Sequence, residues 1–357
     1  MTNGSGRPEA PGPDGVHEGA SALEAAPRPP PAGIEGQATR SRWRMAVTEM
    51  SPLDWLIVVY FFLLFLGVIF GEGPNRVLAG RIVLELVLLL VAGLALTRGA
   101  VLPRGSFASA LVYRLTVFST VFVSYFQLRI ILPACTKRAV DATLYALDMS
   151  VFHVEPAVAW DRFVNPRTTE WFAFFYFGYF FVLAVHILPM MFGTRDMRVF
   201  ARFASTVVFV FCGGHLLYVI VPGWGPYRFL AATFQHPLEG GLFWHAVRAT
   251  VADAGAQKDI FPSVHTAIPS AFTLLAFRYR RDFAPYRFSW PIMTFCTSQI
   301  IVATMFLRWH YLIDICAGLG LAALAVAFAT RTVGWDEARR ERLGLGSSWE
   351  PLVLRRC

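Results

Sequence analysis

Long apolar runs, more than any motif, restrict what this chain can fold into. About eight stretches, over residues 53–71, 80–97, 107–131, 169–192, 200–221, 264–278, 288–306 and 310–330, carry few charges and are separated by more polar connections. Roughly 20 apolar residues in helix cross a bilayer core, and backbone groups in lipid must be satisfied within their own segment. Such runs dictate helices. The expectation is an all-α, polytopic membrane helical bundle of about eight spans. Composition agrees: 55% of the 357 residues are hydrophobic, 15% are aromatic and mean hydropathy is +0.50, too apolar for a water-soluble domain of this length. The third run holds Arg114 and Arg129 and the sixth is short, so each is a candidate for a partly interfacial segment.

The first 45 residues differ in kind. Rich in Pro, Gly, Ala and Glu and nearly without large aliphatics, they cannot bury enough apolar surface to fold and are expected to form a disordered tail. No signal-peptide cleavage pattern precedes the first run. With that tail inside, Arg98 and Arg104, then Arg195, Arg198 and Arg202, then Arg278, Arg280, Arg281 and Arg287, then Arg339, Arg340 and Arg342 all fall on the same side. The opposite loops hold fewer cations, partly matched by Glu72, Asp253 and Asp259. The positive-inside rule then makes both termini cytoplasmic. The net charge of +8 follows from this topology and suits anionic headgroups; no basic stretch interleaved with aromatics points to nucleic acid. Five cysteines without paired spacing argue against a disulfide framework or a zinc site, and no other metal motif stands out.

Two pieces of sequence carry chemistry. Phe261-Pro262-Ser263-Val264-His265 opens the sixth run, with Ser263 as the helix N-cap and His265 in the first turn, where free N–H groups and the helix dipole favour a phosphate. Arg308-Trp309-His310-Tyr311-Leu312-Ile313-Asp314 opens the last. His310 and Asp314 stand four apart, a helical spacing that lets the carboxylate orient one imidazole nitrogen while the other faces a substrate. About 45 residues separate the histidines, enough for two crossings, so both lie on one side, the extracytoplasmic one. Phosphoryl transfer is the chemistry this suggests. Arg308, and more weakly Arg228 and Lys258, are the cations available to phosphate oxygens. The other histidines, His153, His186, His215, His236 and His245, read as packing or interfacial residues.

These motifs, with "LDMSVFHVEPAVAWDRFVNP" and "YVIVPGWGPYRFL" upstream, resemble the type 2 phosphatidic acid phosphatase superfamily over roughly residues 140–330, and within it the branch containing inositol phosphorylceramide synthase. Two features depart from the common pattern. Thr304, not Ser-Arg, precedes His310 by six residues, and Gly225-Pro226-Tyr227-Arg228 stands where Lys-six residues-Arg-Pro is usual. Both departures fit the synthase-like branch. The resemblance implies a six-helix phosphatase-like core, with a cytoplasmic tail over 1–45, amino-terminal spans over 46–135, a catalytic transmembrane domain over 136–332 and a cytoplasmic tail over 333–357. It implies catalytic His265, His310 and Asp314, with Ser263, Arg308, Arg228 and Lys258 binding phosphate and no cofactor or metal. His310 would attack phosphorus and form a phosphohistidine, while His265 protonates the leaving alcohol and then activates the acceptor.

The same residues serve hydrolysis, with water as acceptor, or transfer, with an alcohol; transfer is favoured by the branch. The partners would be a membrane lipid and that acceptor. A non-catalytic transporter or scaffold is the reading from another class, and no internal repeat supports it. The loop over about 222–260, rich in Gly, Pro, Trp, Tyr and Phe, is expected to cover the site. Residues 138–167, with Asp141, Asp148, Glu155 and Asp161, read as holding an amphipathic helix. Abundant Ala, Arg and Gly suggest a high-GC bacterium and a plasma-membrane location.

Overall fold

A computed structural model describes residues 44–254 and 258–352. The expected amino-terminal tail lies, apart from Arg44 and Met45, outside the described residues. Ten helices carry the fold: α1 (Pro52–Ile69), α2 (Arg76–Arg98), α3 (Phe107–Cys135), α4 (Asp141–Val151), α5 (Pro166–Gly193), α6 (Met197–Ile220), α7 (Leu242–Ala254), α8 (Val264–Arg278), α9 (Ala284–Phe306) and α10 (Leu312–Arg342). Short helical turns at 44–49, Pro156–Ala159 and Pro226–Phe229 fill connections, and the described residues hold no strand.

Seven of these, α1, α2, α3, α5, α6, α9 and α10, are long and apolar enough to cross a membrane. Of the expected runs, the sixth is the exception: α8 spans only 15 residues. It is nonetheless buried by its neighbours, with Ala267, Ile268, Ala271 and Phe272 at most 1% exposed. The long helices are apolar on their outer faces as well, where Phe62, Leu88, Phe181, Phe295 and Leu324 are exposed, as an acyl-chain environment requires and water forbids. The chain is a multi-pass, membrane-type helical bundle.

Local chemistry starts and stops the helices. Ser51 caps α1 and Asp54 returns the bond to the Ser51 N–H. Asn165 accepts from Arg167 and Thr168 N–H, with Pro166 at the first position of α5. Asp196 does the same for α6.

Polar groups sort to the two ends. At one end, Asp54 binds Arg98, and Asp336 binds Arg340, which also meets Glu49. There the chain after α10 turns back, and Trp349, 2% exposed, packs on Tyr113 and Phe200. Arg114, the cation that made the third run doubtful, donates to the Glu350 carbonyl at 2.7 Å and lies over the Phe200 ring. Both histidine motifs lie at the opposite end, at the starts of α8 and α10. In mid-bundle, His215 is fully buried with its Nδ1 3.1 Å from the Tyr60 hydroxyl, which meets Ser124 at 2.8 Å, so this histidine belongs to a core hydrogen-bond cluster.

Candidate active site

The stretch 138–167, read as holding an amphipathic helix, contains α4, and its four acids, Asp141, Asp148, Glu155 and Asp161, are all buried. Burying a carboxylate is costly unless donors meet it, and three of these meet many. Asp141 accepts from the Trp224 and Gly225 N–H groups and from the Tyr311 hydroxyl. Asp148 caps α10, accepting from Leu312 N–H at 2.7 Å and Ile313 N–H at 2.8 Å. Asp161 binds Arg308 at 2.7 Å and His236 at 3.0 Å and accepts from the Gln235 N–H. Burial alone would push the Asp161 carboxyl up; the bonds from His236, Gln235 and Arg308 outweigh it and hold the group below its usual range. Glu155, its second oxygen unpartnered beside Asp148, is pushed by burial up to about 8. These acids pin the 222–236 loop and the start of α10 around the histidines.

Ser263 caps α8 as expected, its Oγ 3.3 Å from the Thr266 N–H, while its own N–H donates to the Asp314 carbonyl at 3.1 Å. The approach is close enough that only glycine fits at 318, where a Cβ would stand 2.6 Å from the Ser263 carbonyl oxygen. His265 projects from the first turn of α8 between Tyr176, stacked at 4.6 Å, and Tyr179 at 4.2 Å. His310 faces it with ring centroids 6.3 Å apart. The two histidines do meet on one side of the bundle.

His310 departs from its expected setting. α9 ends at Phe306, and the chain turns through Arg308, a left-handed residue at φ 67°, so that the Trp309 and His310 N–H groups reach the Thr304 carbonyl. His310 therefore precedes α10 rather than standing on it. Asp314 occupies the third position of α10 and accepts from the Tyr311 N–H at 2.9 Å. Its Oδ2 is 3.5 Å from His310 Nδ1, close enough for an ion pair but beyond a good hydrogen bond, and His310 Nδ1 and Asp314 Oδ1 are buried without partners. Burial draws the His310 imidazole down to about 4, against the opposing pull of Asp259 and the Ile260 carbonyl. The ring is thereby held toward its neutral form.

Both histidines line a cavity of about 150 Å³. Its walls are aromatic side chains of α3, α5 and α6, with Trp224 and Tyr227 from the loop and Trp309 beside His310. The expected cations do not line it. Arg308 turns away to Asp161 and the His236 carbonyl and covers Phe234. Arg228 lies over the Trp224 ring at 3.6 Å, and Lys258 donates to the Lys137 and Arg138 carbonyls 5.1 Å from that ring, so both flank the residue at the cavity edge. Asp259, Asp141, Asp148 and Asp161 were not singled out from sequence as site residues. The seven-residue spacing of Asp141 and Asp148, which places both on one face of α4, is the signal that points to part of this set.

A family model described as PAP2 superfamily matches residues 142–328, which is 187 of the chain's 357 residues. That range runs from the start of α4 into α10 and contains the two histidines and the acids Asp148, Asp161, Asp259 and Asp314. No curated protein and no solved structure matches the chain.

Proposed function

From a chain that belongs to the PAP2 superfamily, and hence to a phosphatase-type group, we propose a membrane enzyme that moves a phosphoryl group of a lipid phosphoester through a phosphohistidine on His310. The observation that carries this reading is the pair of imidazoles, 6.3 Å apart across one cavity, with Asp314 3.5 Å from one of them. A phosphorus atom between the rings is within reach of both.

In the first step the free nitrogen of His310 attacks phosphorus, the bond to the leaving alcohol breaks, and His265 gives that oxygen its proton. In the second, His265 takes a proton from the acceptor hydroxyl as that oxygen displaces His310. Asp314 stabilises the cationic imidazole between the steps, a modest rotation converting the 3.5 Å approach into a hydrogen bond. Ser263 sets the helix start that carries His265, and Arg228 and Lys258 at the cavity edge attract the anionic head of the substrate. Arg308 acts by holding the turn before His310.

Transfer to an alcohol acceptor, as in inositol phosphorylceramide synthase-like enzymes, is the favoured outcome because the cavity wall is aromatic and shields the intermediate from water. Hydrolysis of a lipid or polyprenyl phosphate is the alternative. The loop charges favour a site on the extracytoplasmic face, and the Ala-, Arg- and Gly-rich composition favours a bacterial plasma membrane. Purified protein in nanodiscs, given a panel of lipid phosphoesters with and without alcohols, tests this. A new lipid that forms only with acceptor and is lost in His310→Ala supports transfer; phosphate or free phosphorylated headgroup released regardless of acceptor supports hydrolysis. Full turnover in His310→Ala contradicts both.

A further inference from the structure

Phosphoryl transfer spreads charge over the equatorial oxygens, and cations or metals normally meet it. Among the described residues, no lysine or arginine lines the cavity that holds the two histidines. A carboxyl group, Asp259, does. Its placement is firmly set. Gly223 N–H donates to the Lys258 carbonyl at 3.2 Å, and Lys258 Nζ is tied to the carbonyls of Lys137 and Arg138. On the other side Ile260 is buried in a cluster with Leu144, Leu230 and Tyr311. Asp259 is thus fixed between two anchored residues with its side chain on the cavity.

An ionised carboxylate there would repel the phosphate of any substrate. A neutral carboxylic acid would instead offer an O–H donor, as an oxyanion hole does. We infer that Asp259 works in its protonated form, donating a hydrogen bond to a phosphoryl oxygen in place of the cation that the cavity lacks. This rests on the reading of the cavity as a phosphoryl-transfer site. Asp259 keeps its proton throughout: His310 forms the new bond to phosphorus, the bond to the leaving oxygen breaks, and His265 supplies the proton to that oxygen.

The surroundings favour the neutral acid. Burial pushes the Asp259 carboxyl up, opposed by its own backbone N–H and by His310. The groups that face it are tyrosines from three helices, Tyr125 on α3, Tyr176 and Tyr179 on α5 and Tyr218 on α6; Tyr227 from the loop; and the two histidines. None of these is a permanent cation; His265 becomes one only on taking up, with the substrate, the proton it passes to the leaving oxygen. Lys258 Nζ is tied to backbone carbonyls and Arg228 lies over the Trp224 ring, so neither cation is among the residues that line the cavity. An incoming phosphate anion raises the proton affinity of Asp259 further, so binding takes up a proton.

Asparagine keeps the shape and an N–H donor but cannot ionise, which gives a sharp test. In nanodiscs, Asp259→Asn should lose about tenfold, and its alkaline fall, left to His265 alone, should begin at higher pH than that of wild type. Asp259→Ala should lose about 100-fold. Inorganic sulfate, which does not titrate in this range, should inhibit wild type about tenfold more weakly for each pH unit on that side and inhibit Asp259→Asn equally throughout. Three results overturn the inference: Asp259→Asn as inactive as Asp259→Ala, an alkaline fall in Asp259→Asn at the same pH as in wild type, or Asp259→Ala at the wild-type rate. Should the variants fail to fold, sulfate inhibition of wild type that does not change with pH overturns it alone. His310→Ala run alongside separates the two claims. If it retains turnover, the phosphoryl-transfer reading fails; if it is inactive while Asp259→Asn matches Asp259→Ala, only the role of Asp259 fails.

Discussion

Replacing Gly225 with alanine should displace His310 without touching it. Gly225 sits at φ 89°, where an L side chain costs on the order of 1–2 kcal/mol. An added Cβ would stand 2.4 Å from the Trp309 carbonyl oxygen, whereas ordinary contact begins at 3.4 Å, so one of the two backbones must move by about 1 Å. The neighbouring bond from Tyr227 N–H to the Arg308 carbonyl, 2.7 Å, couples that movement to the turn leading into His310. A misplacement of this size costs roughly 100-fold in rate. Gly178→Ala on α5, with no atom within 4 Å of the added Cβ, is the matched control. Turnover of a lipid phosphoester in nanodiscs, with thermal unfolding of the same samples, should show Gly225→Ala down by about two orders of magnitude with the melting temperature lower by only a few degrees, and Gly178→Ala unchanged. Gly225→Ala within about threefold of wild type would refute the argument that this contact sets the position of His310.

The acids around the site give further outcomes. Asp148→Ala, which strips the cap from α10 at Leu312 and Ile313, should cost about 2–3 kcal/mol in unfolding, and Asp148→Asn, keeping one acceptor, about half as much. Asp161→Ala leaves the Arg308 guanidinium buried without its carboxylate and should be strongly destabilising, by about 3–5 kcal/mol; adding Arg308→Met should recover much of that, which a double-mutant cycle of melting curves will measure. The rate should also report His310. Its attack needs the neutral imidazole, and burial lowers the proton affinity, so activity must persist as pH falls past 6.5 and be lost through about 4. An acid limb starting near 6.5 would mean a solvated ring.

What could be read from sequence, and what could not, divides by range of interaction. The apolar runs foretold the long helices because lipid leaves a backbone no other choice, and the Ser263 cap is a contact over three residues. His265 and His310 were placed on one side by counting crossings, and the structure brings their rings together. The spacing of His310 and Asp314 also gave a real proximity, though for a different reason: the helix begins after His310, and a left-handed turn at Arg308 returns the ring toward the carboxylate. The cations were harder. Arg308, two residues before His310, reads as a phosphate ligand until its partner appears 147 positions away in Asp161. Asp148 meets the start of α10 across 164 positions, and Asp259 acquires its setting only when helices α3, α5 and α6 close around it. Nothing local marks such residues.

The most direct test of the central claim is to look for the phosphorylated enzyme. Wild type and His310→Ala, mixed with lipid phosphoester labelled at the phosphoryl group and quenched in alkali within one turnover, should differ. Label is expected on the wild-type peptide carrying His310, stable to base and lost in acid, and none on the variant. Turnover of wild type without any labelled protein, or equal turnover by His310→Ala, would contradict it.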